Sequence, residues 1–500
     1  MSRRWVETVP ALLLLLALML PLRGGFTDDG FIHVQYARNL MTRGEYSFNP
    51  GETSFGTTSP LWVMALAVLA RPFSDGHALV VAGQTLSWLA AFAAVIMLHR
   101  VLVLLGATRR TAIFGSVALA ADVWLVRWGA LGMESSLAAC MAAVMVAASV
   151  RAFEDRRAAA AFGAAAAVGA LVRPELYLAL PVYLAAAVTQ RPRPRARTVM
   201  TACVFFALLV GPWLAFAKWH IGSFLPNTAG AKSGGLVSDP VLFAKKLWMP
   251  ARIMASSQAV ALVAMLADLV VMRRNAFVLG PRFRFALLWM VALPLAYVIA
   301  DIQVLSRYLL LVTPAVCAGG WMSLQSLWHA SSGRARAVVM PAALLVALGI
   351  NGAVYALVVI PPSRAFSQDL QVNMAGLARF LHDHAQPGDV VAAADIGYLA
   401  FYSGCRVLDL GGLVEPETGK LRAQYDYEDI VAQGLYFNVP GYPHVDFLVD
   451  REHEANRFDG RVINGHRFEK IYMTTVRNLG IRKPGEFYYT LYRITPVEAP

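Results

Sequence analysis

Two adjacent acids, Asp28 and Asp29, have the residue types and spacing best suited to chemistry in this sequence. They open a segment of helical periodicity that follows an apolar run at residues 9–22. One carboxylate at a helix start is ordinary capping, because the helix dipole favours negative charge there. With two in a row, one can cap while the other faces a ligand, and their repulsion can raise one pKa toward that of a general base. The pair is a candidate for acid–base chemistry.

A second candidate is Arg307, which lies a few residues inside an apolar run that begins near Asp301. A charge at that depth is costly and usually functional. Bidentate hydrogen bonds to a phosphate would explain it, and an ion pair with Asp301 is the alternative. Other polar residues near the ends of apolar runs are Glu134, Arg173, Glu175, His220, Asn227 and Lys232.

The segment 44–62 is rich in Gly, Pro, Ser and Thr and ends with Trp62. Turns explain the Gly and Pro residues. A loop that presents hydroxyl groups and an aromatic ring would also suit sugar binding. His33, His220, Asp28 and Asp29 could bind a metal, but they do not follow a strict ligand spacing.

Composition indicates the class of protein that carries these residues. Hydrophobic residues make up 57% of the 500 residues and charged residues 15%, against about 45–50% and about 25% in soluble domains. This excludes a disordered chain, a collagen-like chain and a single water-soluble globule. The net charge is +12, but the arginines punctuate apolar runs, which indicates a polytopic membrane protein rather than a nucleic-acid partner.

The apolar runs predict about eleven membrane-spanning helices. Arginine clusters mark every second loop, which places the N-terminus in the cytoplasm and the C-terminus outside. The alternation requires that residues 60–72, too short for a straight span, form a juxtamembrane or re-entrant helix. A cleaved signal peptide is the alternative to the first span. The predicted spans are residues 9–22, 78–105, 111–128, 134–151, 158–172, 175–189, 198–217, 256–272, 285–300, 304–328 and 337–360.

The composition changes near residue 363, which divides the chain into a membrane domain, 1–362, and a small soluble α/β domain, 363–500. The first outer loop of the membrane domain, 23–77, carries the acidic pair. In the second domain, residues 366–384 have helical periodicity and Pro387 and Gly388 signal a turn. Five segments there are strand-like by composition and alternation: residues 390–395, 406–410, 445–449, 469–476 and 486–495.

A series of short motifs runs through roughly residues 1–320: DDGFIHVQYARNL, FNPGE, TTSPLW, GMES, RPE, LPNT and SRYLLLVTP. In this order they resemble the GT-C glycosyltransferases that use polyprenyl-phosphate sugars, especially the mycobacterial terminal arabinofuranosyltransferase branch. The tail segment ADIGYLAFYSGCRVLDLGGLVEPE resembles the extracytoplasmic domain of that branch.

The resemblance implies a GT-C fold in a bacterial cytoplasmic membrane, with the C-terminal domain on the periplasmic side. It implies inverting transfer of a sugar, arabinofuranose being one candidate, from a polyprenyl-monophosphate carrier in the membrane lipid. The acceptor would be a hydroxyl of a cell-envelope glycan, lipid or protein. A monomer is the simplest assembly. Some members bind a divalent cation, so Mg²⁺, Mn²⁺ or Ca²⁺ is an open candidate.

The same resemblance assigns roles to particular residues. Asp29 would be the base, with Asp28 as its neighbour in the acidic pair. The donor phosphate would be bound by Arg307 together with Arg173, Lys232 and Tyr308. The residues implied for the cavity and the acceptor are His33, Trp62, Glu134, Glu175, His220, Asn227 and Asp301.

Three other functions are compatible with a polytopic chain of this kind. A transporter or lipid flippase would show inverted repeats and spans broken by Gly or Pro. A polysaccharide ligase would use a diphosphate-linked donor and favour several outer arginines in one long loop. An assembly factor would bind a partner through its soluble tail. Neutralising Asp29 distinguishes a glycosyltransferase from these alternatives, because only an enzyme should lose turnover while keeping its fold.

Overall fold

The structure, a computed structural model, describes residues 5–73, 76–224, 226–227, 235–237, 239–479 and 483–497. Its contacts divide the chain into two compact units. The first unit consists of Met1–Arg23, Gln84–Ala215 and Ser233–Val359. The second unit consists of Gly24–Gly83, Phe216–Lys232 and Ile360–Pro500.

Long apolar helices dominate the described part of the chain before residue 360. Of the residues described, six helices are long and apolar enough to cross a membrane, or seven if one bent pair counts as a single span. The six are Gly76–Leu104, Ser135–Ala152, Ala196–Ile221, Pro240–Asn275, Pro281–Ile299 and Arg336–His384. Shorter apolar helices are Val6–Leu22, Pro60–Phe73 and Pro174–Thr189. The mostly helical architecture is confirmed, whereas a count of eleven spans stays a prediction.

Each apolar run identified in the sequence contains α-helix, and the run 304–328 is divided into Ser306–Leu309 and Thr313–Ala330. In chain order up to residue 354, the α-helices are Val9–Met19, Asp28–Arg43, Pro60–Ala70, Gly76–Leu104, Arg109–Ala120, Val123–Ala130, Ser135–Ala152, Arg156–Val172, Ala179–Thr189, Ala196–Phe216, Pro240–Met272, Arg284–Ile299, Ser306–Leu309, Thr313–Ala330 and Gly333–Val354. Residues 60–72, predicted as a short helix, form Pro60–Ala70 and a 3₁₀ turn at Arg71–Phe73.

The run 111–128 is not one straight helix. Arg109–Ala120 and Val123–Ala130 meet at an angle of 54°. Asp122 begins the second helix, because its carboxylate accepts hydrogen bonds from the backbone N–H groups of Trp124, 3.1 Å, and Leu125, 2.9 Å. The Gln258 side chain donates to the other carboxylate oxygen at 2.8 Å. A buried cap therefore interrupts a run that apolar composition alone predicted as continuous.

The second unit contains a mixed sheet of six strands in the order β2-β1-β3-β6-β5-β4. Strand β1 pairs in parallel with β2 and β3, and the remaining pairs are antiparallel. The strands are β1 Val390–Ala393, β2 Arg406–Asp409, β3 Phe447–Glu452, β4 Val462–Ile463, β5 His466–Leu479 and β6 Lys483–Pro496. The C-terminal sheet domain is confirmed, with the two-residue strand β4 added to the five predicted strands.

Short helices flank this sheet, and the buried apolar side chains of its strands form a core that includes Leu408, Leu448 and Phe468. The predicted helix 366–384 is present as Ile360–Asp369, a π-helical turn at Leu370–Met374, and Ala375–His384. The remaining α-helices are Gly397–Ser403, Pro416–Arg422 and Tyr427–Ala432. Because Gly397–Ser403 follows β1, it begins at the carboxyl end of the parallel strands, where open α/β sheets place their functional groups.

Candidate active site

The acidic pair lies in the first turn of the helix Asp28–Arg43, which we call the acidic helix. Thr27 caps this helix, since its hydroxyl oxygen accepts a 3.1 Å hydrogen bond from the Gly30 N–H. The helix ends with Arg43 in its last turn and Gly44 in the left-handed conformation. Acids at the start and a base at the end both suit the helix dipole. The predicted amphipathic helix is thus confirmed.

The two acids have different surroundings. The Asp28 carboxylate accepts hydrogen bonds from the backbone N–H groups of Gly397, 3.1 Å, and Tyr398, 2.9 Å. Burial, and then the nearby charge of Asp395, raise the pKa of Asp28 to about 7, although the two backbone hydrogen bonds oppose this shift. Both acids are partly exposed. The carboxylate of Asp28 is engaged in capping a second helix.

Asp395 is itself held in a network of charged and polar groups after β1. Its carboxylate binds the Arg451 guanidinium at 2.6 Å and accepts a hydrogen bond from the Tyr489 hydroxyl at 2.5 Å. Arg451 lies on β3 and Tyr489 on β6. Side chains of β3 and β6 thus hold the Asp395 carboxylate, whose charge acts on Asp28.

The polar face of the acidic helix binds the loop that follows it. The His33 ring nitrogen Nδ1 lies 2.7 Å from the Thr57 hydroxyl, and the Tyr36 hydroxyl lies 2.6 Å from that of Ser54. The Asn39 side chain donates to the backbone carbonyl of Phe48 at 2.8 Å. Hydroxyls predicted as sugar-binding groups therefore have internal partners, and His33 has a clear role in holding the loop.

Two predicted binding residues of the second unit carry buried donors. Trp62 is fully buried, and its indole N–H has no hydrogen-bond partner among the residues that the structure describes. Asn227 donates its backbone N–H to Phe55 at 2.9 Å, while its side-chain nitrogen is likewise unpartnered within the described ranges. His220 is exposed, with its ring beside that of Phe216. Lys232 lies outside the described residues.

The loop is also joined to the edge strand β2. The Asn49 side chain donates to the Val407 carbonyl at 2.9 Å and accepts from the Val407 N–H at 3.0 Å. Glu52 forms an ion pair with Arg406. Asn49 thus pairs with the edge strand much as a neighbouring strand would, and satisfies backbone groups that would otherwise be unpaired.

In the first unit, three predicted residues form one buried ion cluster. Arg173 binds Glu175 through two hydrogen bonds of 3.1 and 2.7 Å, and binds Glu134 at 2.6 Å. Its guanidinium also lies 5.0 Å from the centre of the Tyr308 ring. Arg173 therefore has two carboxylate partners, which compensate its charge in a buried position.

Arg307 is buried in the same unit and faces aromatic rings. Its guanidinium carbon lies 5.3 Å from the Trp128 ring centre and 5.4 Å from that of Tyr308, and one N–H contacts the sulfur of Met133 at 3.4 Å. The Trp128 indole N–H donates to the Ser306 hydroxyl at 2.9 Å. These contacts fix a cation in a low-dielectric setting, where its attraction for an anion is strong.

The sequence left open an ion pair between Asp301 and Arg307. The Asp301 carboxylate forms an ion pair with Lys246, whereas the sequence suggested Arg307 as its partner. The predicted site residues thus fall into two groups, one in each unit. Asp28, Asp29, His33, Trp62, His220 and Asn227 lie in the second unit, and Glu134, Arg173, Glu175, Asp301, Arg307 and Tyr308 lie in the first.

No metal-binding group emerges from the described part of the chain: three or more His, Cys, Asp or Glu side chains do not come together there. Sequence reasoning gave no individual role to Trp128 and Met133 beside Arg307, or to Gly397 and Tyr398 beside Asp28. The first two are buried apolar residues without a chemical signature, and the last two act through their backbone.

Comparison with known proteins finds solved structures of similar fold but little similarity in sequence. Residues 364–492 match the family model described as Domain of unknown function (DUF8728). No curated protein sequence matches the chain. ArnT from Cupriavidus metallidurans, in the crystal structure bound to undecaprenyl phosphate, superposes with a TM-score of 0.57 and 15% identity, over 98% of each chain.

Two further solved structures are similar. The Archaeoglobus fulgidus oligosaccharyltransferase, tethered with an acceptor peptide, has a TM-score of 0.57 and 10% identity, over 90% of this chain and 69% of that one. The arabinofuranosyltransferase AftD from Mycobacteria has 17% identity and a TM-score of 0.46, and the match spans 98% of this chain but 41% of AftD. That TM-score is too low to support a donor sugar. The predicted resemblance is thus confirmed for the fold: the chain has the fold of the GT-C glycosyltransferases.

Proposed function

We propose that this protein is a membrane glycosyltransferase that moves a sugar from a polyprenyl-monophosphate carrier to a hydroxyl acceptor. The observation that carries the proposal is an acidic pair at the start of a capped helix, in a chain whose similarity to a GT-C structure covers 98% of its length. One of the solved structures with this fold was determined with undecaprenyl phosphate bound. Arabinofuranose is one candidate sugar, and a cell-envelope glycan, lipid or protein is the proposed acceptor.

In the proposed reaction Asp29 accepts the proton of the acceptor hydroxyl as the oxygen attacks the anomeric carbon. The bond between that carbon and the phosphate oxygen breaks, and polyprenyl monophosphate leaves with the electron pair. Attack opposite the leaving group inverts the anomeric configuration. A positioned base contributes about 10²–10⁴-fold to such a step.

Arg307 is proposed to bind the phosphate of the donor. A planar guanidinium can bind two phosphate oxygens at once. The rings of Trp128 and Tyr308 lie near its face. This arrangement favours a fixed orientation, and cations aimed at a leaving phosphate stabilise the charge that develops there.

The other predicted residues take supporting roles in this proposal. Arg173, bound by Glu134 and Glu175, maintains the buried ion cluster rather than contacting the phosphate. His33 holds the loop that follows the acidic helix. Trp62 and Asn227 are proposed to donate hydrogen bonds to the acceptor, since each has a buried donor atom without a partner in the described residues. We place the protein, as a monomer, in a bacterial cytoplasmic membrane with its C-terminal domain on the periplasmic side.

A transporter or flippase is the principal alternative, and the bent helix pair at Asp122 is the feature that it could use. Discontinuous helices in transporters bind ions or substrates with their free ends. Here the Asp122 carboxylate already accepts from two N–H groups of the second helix and from Gln258. The break is thus satisfied by the protein itself, which favours the enzyme.

The test is sugar release from a panel of radiolabelled polyprenyl-monophosphate sugars by the purified full-length protein in lipid nanodiscs. Transfer or slow hydrolysis of one donor would support the proposal and identify the sugar. A diphosphate-linked donor included in the panel tests the ligase alternative. Turnover of that donor alone, or of none, would contradict the proposal.

A further inference from the structure

One short helix of the C-terminal domain is held at both ends by the acidic helix. The Asp28 carboxylate binds the first N–H groups of Gly397–Ser403. The Arg38 guanidinium donates to the backbone carbonyl of Phe401 at 2.8 Å and to that of Ala400 at 3.4 Å, near the other end of the same helix. We call these contacts the clamp.

The charges of the clamp match the helix that they hold. The first N–H groups and last carbonyl groups of a helix have no partners within it. A carboxylate stabilises the first and a guanidinium the second, in keeping with the helix dipole. Exchanging the two charges would place each beside groups of its own sign.

Close packing fills the space between the two ends of the clamp. The Phe31 ring of the acidic helix lies 4.1 Å from that of Tyr398 and 5.2 Å from that of Phe401, measured between centroids. Gly397 permits the approach, because a Cβ atom there would lie 2.1 Å from the backbone carbonyl oxygen of Asp28. The two helices therefore have a defined separation as well as defined ends.

The clamp fixes the first turn of the acidic helix, which carries Asp29. We propose, on the basis of the function proposed above, that Asp28 and Arg38 are positioning residues and that Asp29 alone accepts the proton. The C-terminal domain, in the segment that matches DUF8728, thereby takes part in catalysis by orienting a base that it does not itself contain. A displacement of about 1 Å at a reacting group can cost about 10²-fold in rate, so loosening the clamp should lower kcat.

Graded variants at Asp28 separate positioning from chemistry. Asp28→Asn keeps one oxygen that can accept a backbone hydrogen bond, whereas Asp28→Ala keeps none. Neither can act as a base. We expect kcat for sugar release to fall about 5-fold in Asp28→Asn and about 50-fold in Asp28→Ala, with KM for the donor within 2-fold of wild type.

A variant of Arg38, at the opposite end of the clamp, tests positioning without removing an acidic residue. Arg38→Gln should lower kcat about 5- to 20-fold with the donor KM unchanged, because it loosens the same helix from its other end. The exposed Asp383 lies in the same unit, and Asp383→Asn is the matched control, expected to behave as wild type. Equal inactivity of Asp28→Asn and Asp28→Ala together with a fully active Arg38→Gln would overturn the proposal, and so would wild-type kcat in all three.

Amide hydrogen exchange tests the clamp without turnover. Asp28→Ala should lower the protection of the Gly397 and Tyr398 amides at least 10-fold, whereas Asp29→Asn should leave it within 2-fold of wild type. Unchanged protection in Asp28→Ala would overturn the clamp itself. Wild-type protein that releases sugar from no donor would contradict the proposed function, whereas an active wild type with insensitive clamp variants would contradict the positioning role alone.

Discussion

The Asp28 carboxylate accepts a 2.9 Å hydrogen bond from the backbone N–H of Tyr398, a residue 370 positions later in the chain. This contact separates two acids that look equivalent in the sequence. Asp28 caps the start of another helix, and Asp29 is the acid that we propose as the base. Residues Gly24–Gly83 and Ile360–Pro500 are therefore parts of one compact unit.

The free energy of unfolding should depend on pH because Asp28 titrates. Its pKa is about 7 in the folded protein, raised from 3.8 mainly by burial and then by Asp395. Because the folded state holds this proton more tightly, the contribution of Asp28 to the free energy of unfolding is full below about pH 4 and is lost as the pH rises to about 7. Asp28→Asn should remove this component.

Unfolding measured in detergent from about pH 4 to about pH 9, with wild type and Asp28→Asn compared at each pH, checks this prediction. The difference between the two proteins should change across that range and become constant above about pH 8. The groups that face Asp28 are Asp395, Asp29 and the Gly397 and Tyr398 amides, and Arg451 binds Asp395. Parallel stability curves for the two proteins would show that Asp28 does not titrate as described.

Arg307→Gln should weaken donor binding. The substitution removes the charge while keeping a hydrogen-bonding side chain, and a hydrogen bond to a charged group contributes about 1.5–3 kcal/mol. We expect KM for the polyprenyl-phosphate sugar to rise about 10- to 100-fold. The donor KM of Arg307→Lys should lie between that of wild type and that of Arg307→Gln, because lysine retains the charge but lacks the planar guanidinium.

Initial-rate kinetics over a range of donor concentrations measure this effect. Arg274 is exposed, so Arg274→Gln controls for the loss of one positive charge. An unchanged KM and kcat in Arg307→Gln would remove Arg307 from the donor site.

Arg173→Met should destabilise the protein, because it leaves Glu134 and Glu175 without their shared cation. Removing one member of a buried ion pair costs about 3–5 kcal/mol. The triple variant with Glu134→Gln and Glu175→Gln should recover part of that loss, since the carboxylates are then neutral. Thermal unfolding in detergent provides the comparison. A single variant as stable as wild type would mean that the cluster contributes little.

Asn49→Ala should loosen the loop from the edge of the sheet. It removes two hydrogen bonds to the Val407 backbone, of 2.9 and 3.0 Å. Leaving buried polar groups unpaired costs about 1–3 kcal/mol. Hydrogen exchange at Val407 should rise at least 5-fold while exchange in β5 stays constant. Equal exchange at Val407 in the variant and wild type would contradict this attachment.

Local patterns explain what the sequence predicts well. The acidic helix, the helix 366–384 and five strands follow from periodicity and turn residues, and the structure contains all of them. Strand β4 has only two residues, too few for an alternating pattern. The break at Asp122 was missed because a single buried cap hardly changes an apolar run.

The site is less predictable because its partners are distant in sequence. The acids, Arg173 and Arg307 were identified by charge in an apolar context. The hydrogen bonds from Gly397 and Tyr398 to Asp28 come from backbone groups, which residue type does not reveal. Glu175 is a near neighbour of Arg173, but Glu134 lies 39 positions away. The ion cluster could thus be anticipated only in part.

The most direct test of the account is the effect of Asp29→Asn on sugar transfer by the purified protein, with the donor saturating. Asparagine is similar in size to aspartate but cannot accept the acceptor proton. We predict that kcat falls at least about 10²-fold, with donor KM, thermal stability and protection of the Gly397 and Tyr398 amides as in wild type. A folded Asp29→Asn protein that transfers sugar at the wild-type rate would contradict the central claim.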